Sequence, residues 1–102
     1  MAYQVQFSPA ALQHLQGFSA RERATLLDRV SRQLTDQPTV ETRNRKRMRP
    51  NPLAPWELRV ADMRVYYDVT EAVAGSEPTV DILAMGRKVR DRVLVAGEEV
   101  DV

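Results

Sequence analysis

The chain has 102 residues, enough for one domain of about 100 residues with one small core, so we expect residues 1–102 to form a single domain. Apolar residues make up 43% and charged residues 28%, which is typical of globular proteins and excludes disordered or fibrous classes. No run of about 18 apolar residues occurs and the N-terminal pattern is not that of a signal peptide, so we expect no membrane association. The absence of cysteine excludes disulfides and thiol nucleophiles and fits a cytoplasmic protein.

Charge is distributed unevenly along the chain, although the formal net charge is only +1. The segment 43–49 holds five cations, and a second basic cluster at 87–92 is interrupted by Asp91 alone. Glu98, Glu99 and Asp101 then make the last residues acidic. Of the 15 basic residues 13 are Arg, whose planar fork suits phosphate. Codon bias would explain the number of arginines, but their clustering indicates an anionic partner.

The N-terminal third is predicted to contain one strand and two helices. Residues 3–7 alternate between apolar and polar side chains, as a half-buried strand does. Ser8 and Pro9 are favoured at the start of a helix, which we expect to end near Gly17. A capping box then opens an amphipathic helix over 20–35, where apolar residues recur every three or four positions. We expect the two helices to form a hairpin that packs on an apolar surface.

The remainder of the chain is predicted to be mainly β. The basic residues at 45–49 fit an edge strand, since Lys and Arg often protect an edge, and three prolines make 50–55 a loop. Alternation predicts strands over 56–60 and 63–69, joined as a hairpin. The mostly apolar stretch 79–85 is predicted to be a central strand.

Helices that precede a run of antiparallel strands indicate an α+β fold. We expect the N-terminal strand and the helix pair to pack on a small, mainly antiparallel sheet of about four or five strands. For the tail at 93–102 three alternatives stay open. It is flexible, it depends on a partner for its order, or it extends the sheet through 93–95. Whether its acidic residues cover the basic residues in cis is equally open.

The predicted hairpin brings two arginines face to face. If the strands pair from the turn outward, Arg59 lies opposite Arg64, and Glu57 lies opposite Tyr66 on the same outer face. Like charges directly opposite each other destabilise a sheet, so an anion bound between them would explain the pair. The alternative is a solvated face on which salt screens the repulsion.

The two basic segments can reach this outer face, one preceding the hairpin and one following the central strand. Each segment alone is explained as well by a solvated edge or tail, but together they are typical of a phosphate-binding groove. Tyr66 or Trp56 would then be available to stack on a base. The residues that we expect to bind RNA are Arg43, Arg45, Lys46, Arg47, Arg49, Tyr66 and Arg87.

Catalysis at this groove is predicted to need neither a metal nor a cofactor. Only Glu57 and Asp68 would offer carboxylates there, among cations that repel a metal ion, and the single His14 excludes a paired-histidine mechanism. Metal-free RNA cleavage remains, in which a 2′-hydroxyl attacks the adjacent phosphate. Arg can stabilise the phosphorane but cannot accept a proton, so the base would be Glu57, Lys46 or Lys88.

The sequence resembles the RelE/ParE superfamily of toxins from type II toxin–antitoxin systems. The resemblance covers about residues 3–92. The features that match are a strand at 3–7 followed by Ser8, Pro9 and a helical hairpin, the strands 56–60 and 63–69 with Arg64, and the segment 82–90 with Lys88. It implies a RelE-like fold, and a cognate antitoxin, small and acidic or DNA-binding, as partner.

The resemblance also implies an activity and site residues. RelE-like members cut messenger RNA on the ribosome without a metal, whereas ParE-like members inhibit DNA gyrase. Arg64 matches the phosphate-binding arginine of the RelE-like pattern, and Arg59 matches a basic position on the preceding strand. Lys88 and Arg90 match basic positions after the last core strand. With Glu57 as a possible base, these five residues are the predicted catalytic set.

Three positions depart from the family pattern. Glu57 stands where some members have a basic residue, and Lys46 stands where others have a carboxylate base. Leu94 occupies a position at which RelE-like toxins often carry Tyr. A messenger ribonuclease is therefore the first expectation, and a gyrase inhibitor or an inactive relative that only binds antitoxin or nucleic acid stays open.

Overall fold

The computed structural model describes residues 2–102, with a Cα radius of gyration of 13.1 Å. In chain order the elements are β1 (Gln4–Phe7), α1 (Pro9–Gln16), α2 (Ala20–Leu34), β2 (Arg45–Arg47), β3 (Trp56–Val60), β4 (Met63–Thr70), β5 (Thr79–Val89), β6 (Arg92–Val95) and β7 (Glu98–Val100). Within the described residues, no helix is long and apolar enough to cross a membrane.

Both helices begin at the capping residues that the sequence predicts. The Ser8 hydroxyl accepts a hydrogen bond of 3.0 Å from the backbone N–H of Ala11, and Pro9 follows as the first helical residue. At α2, Ser19 and Glu22 form a complete capping box, each side chain accepting from the other residue's backbone N–H. Local side-chain chemistry thus fixes where each helix starts.

All strands join one sheet of 7 strands, in the order β2-β3-β4-β5-β6-β7 with β1 beside β5. Among the strands of residues 2–102 only the β1–β5 pairing is parallel, so the predicted α+β class with a mainly antiparallel sheet is confirmed. The sheet is larger than predicted because β6 and β7 extend it as a hairpin. Of the three alternatives left open for residues 93–102, the structure shows the one in which this segment extends the sheet.

The main core lies between the helices and one face of the sheet, which we call the helix face. Alternate residues of β3 and β4 point to it, and the Trp56 and Tyr67 rings stack there with centroids 6.1 Å apart. The Tyr67 hydroxyl donates a hydrogen bond of 2.7 Å to the carbonyl of Pro38. The fully buried members of this core are Ala11, Leu26, Leu34, Leu58, Val65, Tyr67, Val80, Ile82 and Met85.

The opposite face of the sheet, the outer face, carries a second and smaller apolar cluster around Tyr66. Its buried members are Ala54, Tyr66, Ala84 and Val95, against which the hairpin residues Val93 and Val100 also pack. Gly86 allows this arrangement. A Cβ there would come within 2.5 Å of the carbonyl oxygen of Leu94, which is closer than any side chain can approach. The β6–β7 hairpin therefore covers part of the outer face.

Candidate nucleic-acid interface

The hairpin of β3 and β4 has the register that the sequence predicts. Arg59 lies opposite Arg64, and Glu57 lies opposite Tyr66, all on the outer face. The connecting turn places Ala61 in the left-handed region, with φ of 55°. Nη1 of Arg64 donates to the carbonyls of Ala61 and Met63, at 2.8 and 2.9 Å. The turn therefore fixes this guanidinium, and the nitrogens not used by the turn are left for a ligand.

A cavity of about 470 Å³ opens over these residues, between the hairpin and the C-terminal strands. Its cationic lining consists of Arg59, Arg64, Lys88 and Arg92. Its acidic lining consists of Glu57, Asp91, Glu99 and Asp101. The acidic tail therefore lies beside the basic residues in cis, which the sequence left open. Cations and carboxylates balance in number around the cavity.

Glu57 explains how the two facing arginines coexist. Its carboxylate oxygen Oε1 accepts a hydrogen bond of 2.9 Å from Nε of Arg59, because residues two apart on a strand share a face. The Glu57 side chain is 9% exposed, whereas that of Arg59 is 48% exposed. The anion between the arginines that the sequence suggested is thus supplied in part by the protein itself.

Tyr66 is buried and cannot take the predicted role of stacking on a base. The β6–β7 hairpin and the loop before β3 cover its ring, so no face is open to a ligand. Its hydroxyl is the one buried side-chain N or O atom within residues 2–102 that has no hydrogen-bond partner. Burial raises the pKa of Tyr66 far above its ordinary value, and the adjacent Glu57 carboxylate raises that pKa further.

The segment 43–49 does not present its cations to one place. Arg45 is buried on the helix face, where Nε donates to the Val40 carbonyl and Nη1 to the Gln33 carbonyl, both at 2.9 Å. Arg47 also points to that face and stacks over Trp56, with 5.5 Å between the guanidinium carbon and the ring centroid. The prediction that Arg45 contacts RNA is wrong, because its buried guanidinium donates hydrogen bonds to carbonyls of the protein itself.

Only Lys46 of this strand faces the cavity side of the sheet, half-buried and opposite Glu57 in the register. Arg43 and Arg49 are exposed, and Arg49 borders a separate cavity formed by the loop 50–55. The segment thus divides into one lysine near the cavity, two arginines on the helix face and two at a distance from the cavity.

The second basic cluster divides in a similar way. Arg87 points to the helix face, where it pairs with Glu22 at 2.8 Å and Asp62 at 3.0 Å and stacks over Phe18. The hydrogen bond that Arg87 donates to Glu22 raises the pKa of Arg87, and the one that it donates to Asp62 raises it further. Arg87 therefore joins α2 to the β3–β4 turn. The prediction that Arg87 binds RNA is wrong, and its role is structural.

Lys88 lines the cavity as predicted, but Arg90 does not. Arg90 occupies the turn between β5 and β6, with φ of 57°, and is exposed. Arg92 takes its place in the lining, because the turn reverses the chain and returns residue 92 beside Val89. Sequence reasoning missed Arg92 as a site residue, and the signal that could have found it was its position in the 87–92 cluster.

No cluster of three or more His, Asp or Glu side chains that could hold a metal ion occurs in the part of the chain that the structure describes. The site consists instead of an arginine held by the turn, a half-exposed arginine paired with a buried carboxylate, and two further cations. Such an arrangement can bind a phosphodiester and place a carboxylate beside it.

No family model and no curated protein sequence matches this chain. Among solved structures, a chain in the crystal structure of the toxin–antitoxin complex RelBE2 from Mycobacterium tuberculosis is similar, with a TM-score of 0.66. The two share 22% sequence identity over 86% of this chain and 100% of that one. At this level of identity the likeness concerns the fold. The fold that the sequence resemblance implied is confirmed, and the chain has a RelE-like α+β fold.

Proposed function

We propose that this protein is the toxin of a type II toxin–antitoxin system and acts as a ribosome-dependent, metal-free messenger ribonuclease that blocks translation. The RelE-like fold supports the toxin class. The observation that carries the ribonuclease proposal is the cavity, which the buried carboxylate of Glu57 lines together with Arg59, Arg64, Lys88 and Arg92. An RNA phosphate and its neighbouring 2′-hydroxyl fit such a set of groups.

Arg64 and Arg59 hold the scissile phosphate in this proposal. Arg64 is 8% exposed and tied to two carbonyls of the turn, so its free N–H groups are fixed in place before the ligand arrives. Donors fixed in advance stabilise developing charge more effectively than donors that must reorganise. Arg59, on the facing strand, is more exposed and can follow the phosphate as it moves.

Glu57 is the proposed base, because it is the buried carboxylate among the cations. It takes the proton of the 2′-hydroxyl, whose oxygen attacks phosphorus while the bond to the 5′-oxygen breaks. The products are a 2′,3′-cyclic phosphate and a 5′-hydroxyl. Lys88 gives a proton to the leaving oxygen, and Arg92 stabilises the negative charge that develops on the phosphate, the role that the sequence predicts for Arg90.

The proposed partners are the ribosome with its messenger RNA and a small cognate antitoxin, acidic or DNA-binding, in the cytoplasm. The similar chain was solved in a toxin–antitoxin complex. Exposed cations outside the cavity, such as Arg43 and Arg49, are available to contact ribosomal RNA.

One observation favours a second candidate, a toxin that inhibits DNA gyrase without cutting RNA. The described residues that line the cavity include no aromatic side chain. Leu94, at the position where RelE-like toxins often carry Tyr, lines a different cavity with His14 and Phe18 on the helix face. A base placed over the cavity would therefore lack a stacking partner from this chain.

Induction of the protein in cells without an antitoxin separates the two candidates. The ribonuclease proposal expects growth to stop and incorporation of labelled amino acids to fall within minutes, with plasmid supercoiling unchanged. Continued protein synthesis with relaxed plasmids would establish the gyrase candidate in its place. Growth without any defect would contradict both toxin proposals and favour a binding protein.

A further inference from the structure

Two neighbouring tyrosines differ in a way that their burial does not explain. Tyr66 and Tyr67 are both fully buried. The Tyr67 hydroxyl donates to the Pro38 carbonyl at 2.7 Å, whereas the Tyr66 hydroxyl has no partner. A buried hydroxyl without a hydrogen bond destabilises the folded state, and phenylalanine would fill the same space without that cost. Tyr66 therefore calls for a role that the free protein does not display.

The unbonded hydroxyl belongs to the residue opposite Glu57, which lines the cavity. The two residues face each other across β3 and β4. The carboxylate is close enough to raise the pKa of the hydroxyl through its charge and through a partial hydrogen bond, but the contact lacks the geometry of a full hydrogen bond. Glu57 is itself buried, and its one ion pair in the described chain is with Arg59. A donor without an acceptor thus adjoins a buried carboxylate that depends on a single partner.

That single partner is the one that a phosphate would compete for. Half of the Arg59 side chain is exposed at the cavity, so it can move toward an anion, whereas Arg64 is held by the turn. A phosphate that draws Arg59 away would leave the Glu57 charge buried and unpaired. A buried charge without a partner strongly destabilises a folded protein. We therefore expect a second group close to Glu57 that can pair with its carboxylate.

We propose that Tyr66 is a positioning residue, whose hydroxyl takes over the Glu57 carboxylate when an RNA phosphate draws Arg59 away. This inference rests on the proposed function, since it needs a phosphate at the cavity and gives Glu57 its role as base. The new hydrogen bond keeps the carboxylate ionised and fixed while Arg59 serves the phosphate. The unbonded hydroxyl destabilises the free protein, and its hydrogen bond to Glu57 in the complex with RNA offsets that destabilisation.

A double-mutant cycle on the free protein tests the exchange without ligand or activity. In the otherwise unchanged protein, Tyr66→Phe is expected to leave the urea midpoint the same or raise it. In an Arg59→Ala background, where Glu57 has lost its partner, Tyr66→Phe is expected to increase the unfolding equilibrium constant about ten-fold, because the hydrogen bond to a charged group is lost. Arg59→Met, which keeps the aliphatic stem, is a second background if Arg59→Ala is too unstable.

Tyr67→Phe is the matched control. The Tyr67 hydroxyl donates to the Pro38 carbonyl whether or not Arg59 is present. Tyr67→Phe is therefore expected to lower the free energy of unfolding by the same amount in both backgrounds. Equal effects of Tyr66→Phe in the two backgrounds would overturn the inference, because Tyr66 would then not replace Arg59.

Cleavage on purified ribosomes programmed with messenger RNA provides the functional arm. Tyr66→Phe is expected to lower kcat about ten-fold with KM unchanged, whereas Tyr67→Phe lowers thermal stability and leaves kcat unchanged. Wild-type kcat in Tyr66→Phe would overturn the inference even if the cycle shows coupling. No cleavage by the wild-type protein, with coupling present in the cycle, would overturn the proposed ribonuclease while the exchange between Arg59 and Tyr66 stands.

Discussion

At the residue scale, the hydrogen bonds of each arginine decide whether it can serve a ligand. Arg45 uses Nε and Nη1 of its guanidinium within the fold, and Arg87 pairs with two carboxylates. Arg64 donates hydrogen bonds to the turn from one nitrogen, Nη1, and its other nitrogens stay available to a ligand. Among residues 2–102, Arg59 pairs only with Glu57. Charge at a position therefore does not distinguish a structural arginine from one that binds phosphate, and the partners of its nitrogens do.

The structural role of Arg45 can be tested by urea unfolding. Arg45→Ala is expected to lower the free energy of unfolding by about 3 kcal/mol, because it leaves the carbonyls of Gln33 and Val40 without their buried donor. Arg43→Ala, an exposed change of the same kind two residues earlier, should alter stability by less than about 0.5 kcal/mol. Equal effects of the two changes would refute the assignment.

His14 predicts a pH dependence of stability. Nδ1 of His14 accepts a hydrogen bond from the Met85 backbone N–H at 3.2 Å, which requires that nitrogen to be unprotonated. Desolvation lowers the pKa of His14 below its ordinary 6.5, so the folded state binds a proton less readily than the unfolded chain. Stability is therefore complete above pH 6.5 and is lost as the pH falls through the lowered pKa. Thermal melts of His14→Gln should lack this loss between pH 7 and about pH 5.

The sequence predicts the outer-face site in part. The period of two in β3 and β4 is sufficient to place Arg59 opposite Arg64 and to put Glu57 on the same face. The burial of Tyr66 could not be predicted, because it depends on a hairpin that lies about 30 residues further along the chain. The inward direction of Arg45 depends on the pairing of β2 with β3, which the sequence does not reveal.

At the scale of elements, the β6–β7 hairpin turns an open sheet face into a cavity. It supplies Val93 and Val100 to the small apolar cluster, and Arg92 and Glu99 to the cavity lining. Its turn has Ala96 and Gly97 with φ of 54° and 80°, the conformation of a two-residue hairpin turn. Alanine is an unusual first residue in such a turn, which makes the hairpin hard to detect from sequence.

The remaining elements follow from local signals. Capping residues mark the start of both helices, and alternation marks β3 and β4, so their bounds agree with prediction to within about two residues. The extent of β5 does not follow in the same way. Its eleven residues pair with β1 at one end and with β6 at the other, so its length is set by distant partners.

Gly86 tests the close approach of β5 and β6. Gly86→Ala is expected to cost about 2 kcal/mol, because the new Cβ meets the Leu94 carbonyl oxygen and the Val95 side chain. Gly17→Ala is the matched control, since a Cβ there meets nothing closer than 3.4 Å and φ is −77°. Hydrogen exchange should show faster exchange at β6 in the first variant only. Unchanged protection at β6 would contradict the described packing.

At the scale of the whole molecule, the net charge of +1 reflects a balance at the site itself. Four cations and four carboxylates line one cavity, and two of the carboxylates come from the C-terminal tail. The acidic residues of the tail lie at the same face of the sheet as the basic residues. The tail therefore moderates the field that a phosphate encounters.

Removal of the tail charges is expected to strengthen anion binding. Glu99→Gln with Asp101→Asn should tighten binding of a 2′-O-methyl oligoribonucleotide about ten-fold at low salt, and less as salt increases. Glu77→Gln with Glu98→Gln changes the net charge equally but involves no residue of the cavity lining, so its effect should be much smaller. Equal tightening by both pairs would show that only net charge matters.

A map of the 5′ ends of transcripts after induction without antitoxin shows whether the cavity cuts messenger RNA. If the cavity cuts messenger RNA, new 5′-hydroxyl ends appear within coding regions, in phase with the reading frame, that disappear in Arg64→Ala and persist in Arg29→Ala, an exposed change on α2. A map identical to that of uninduced cells, or ends that persist in Arg64→Ala, would contradict cleavage by the cavity.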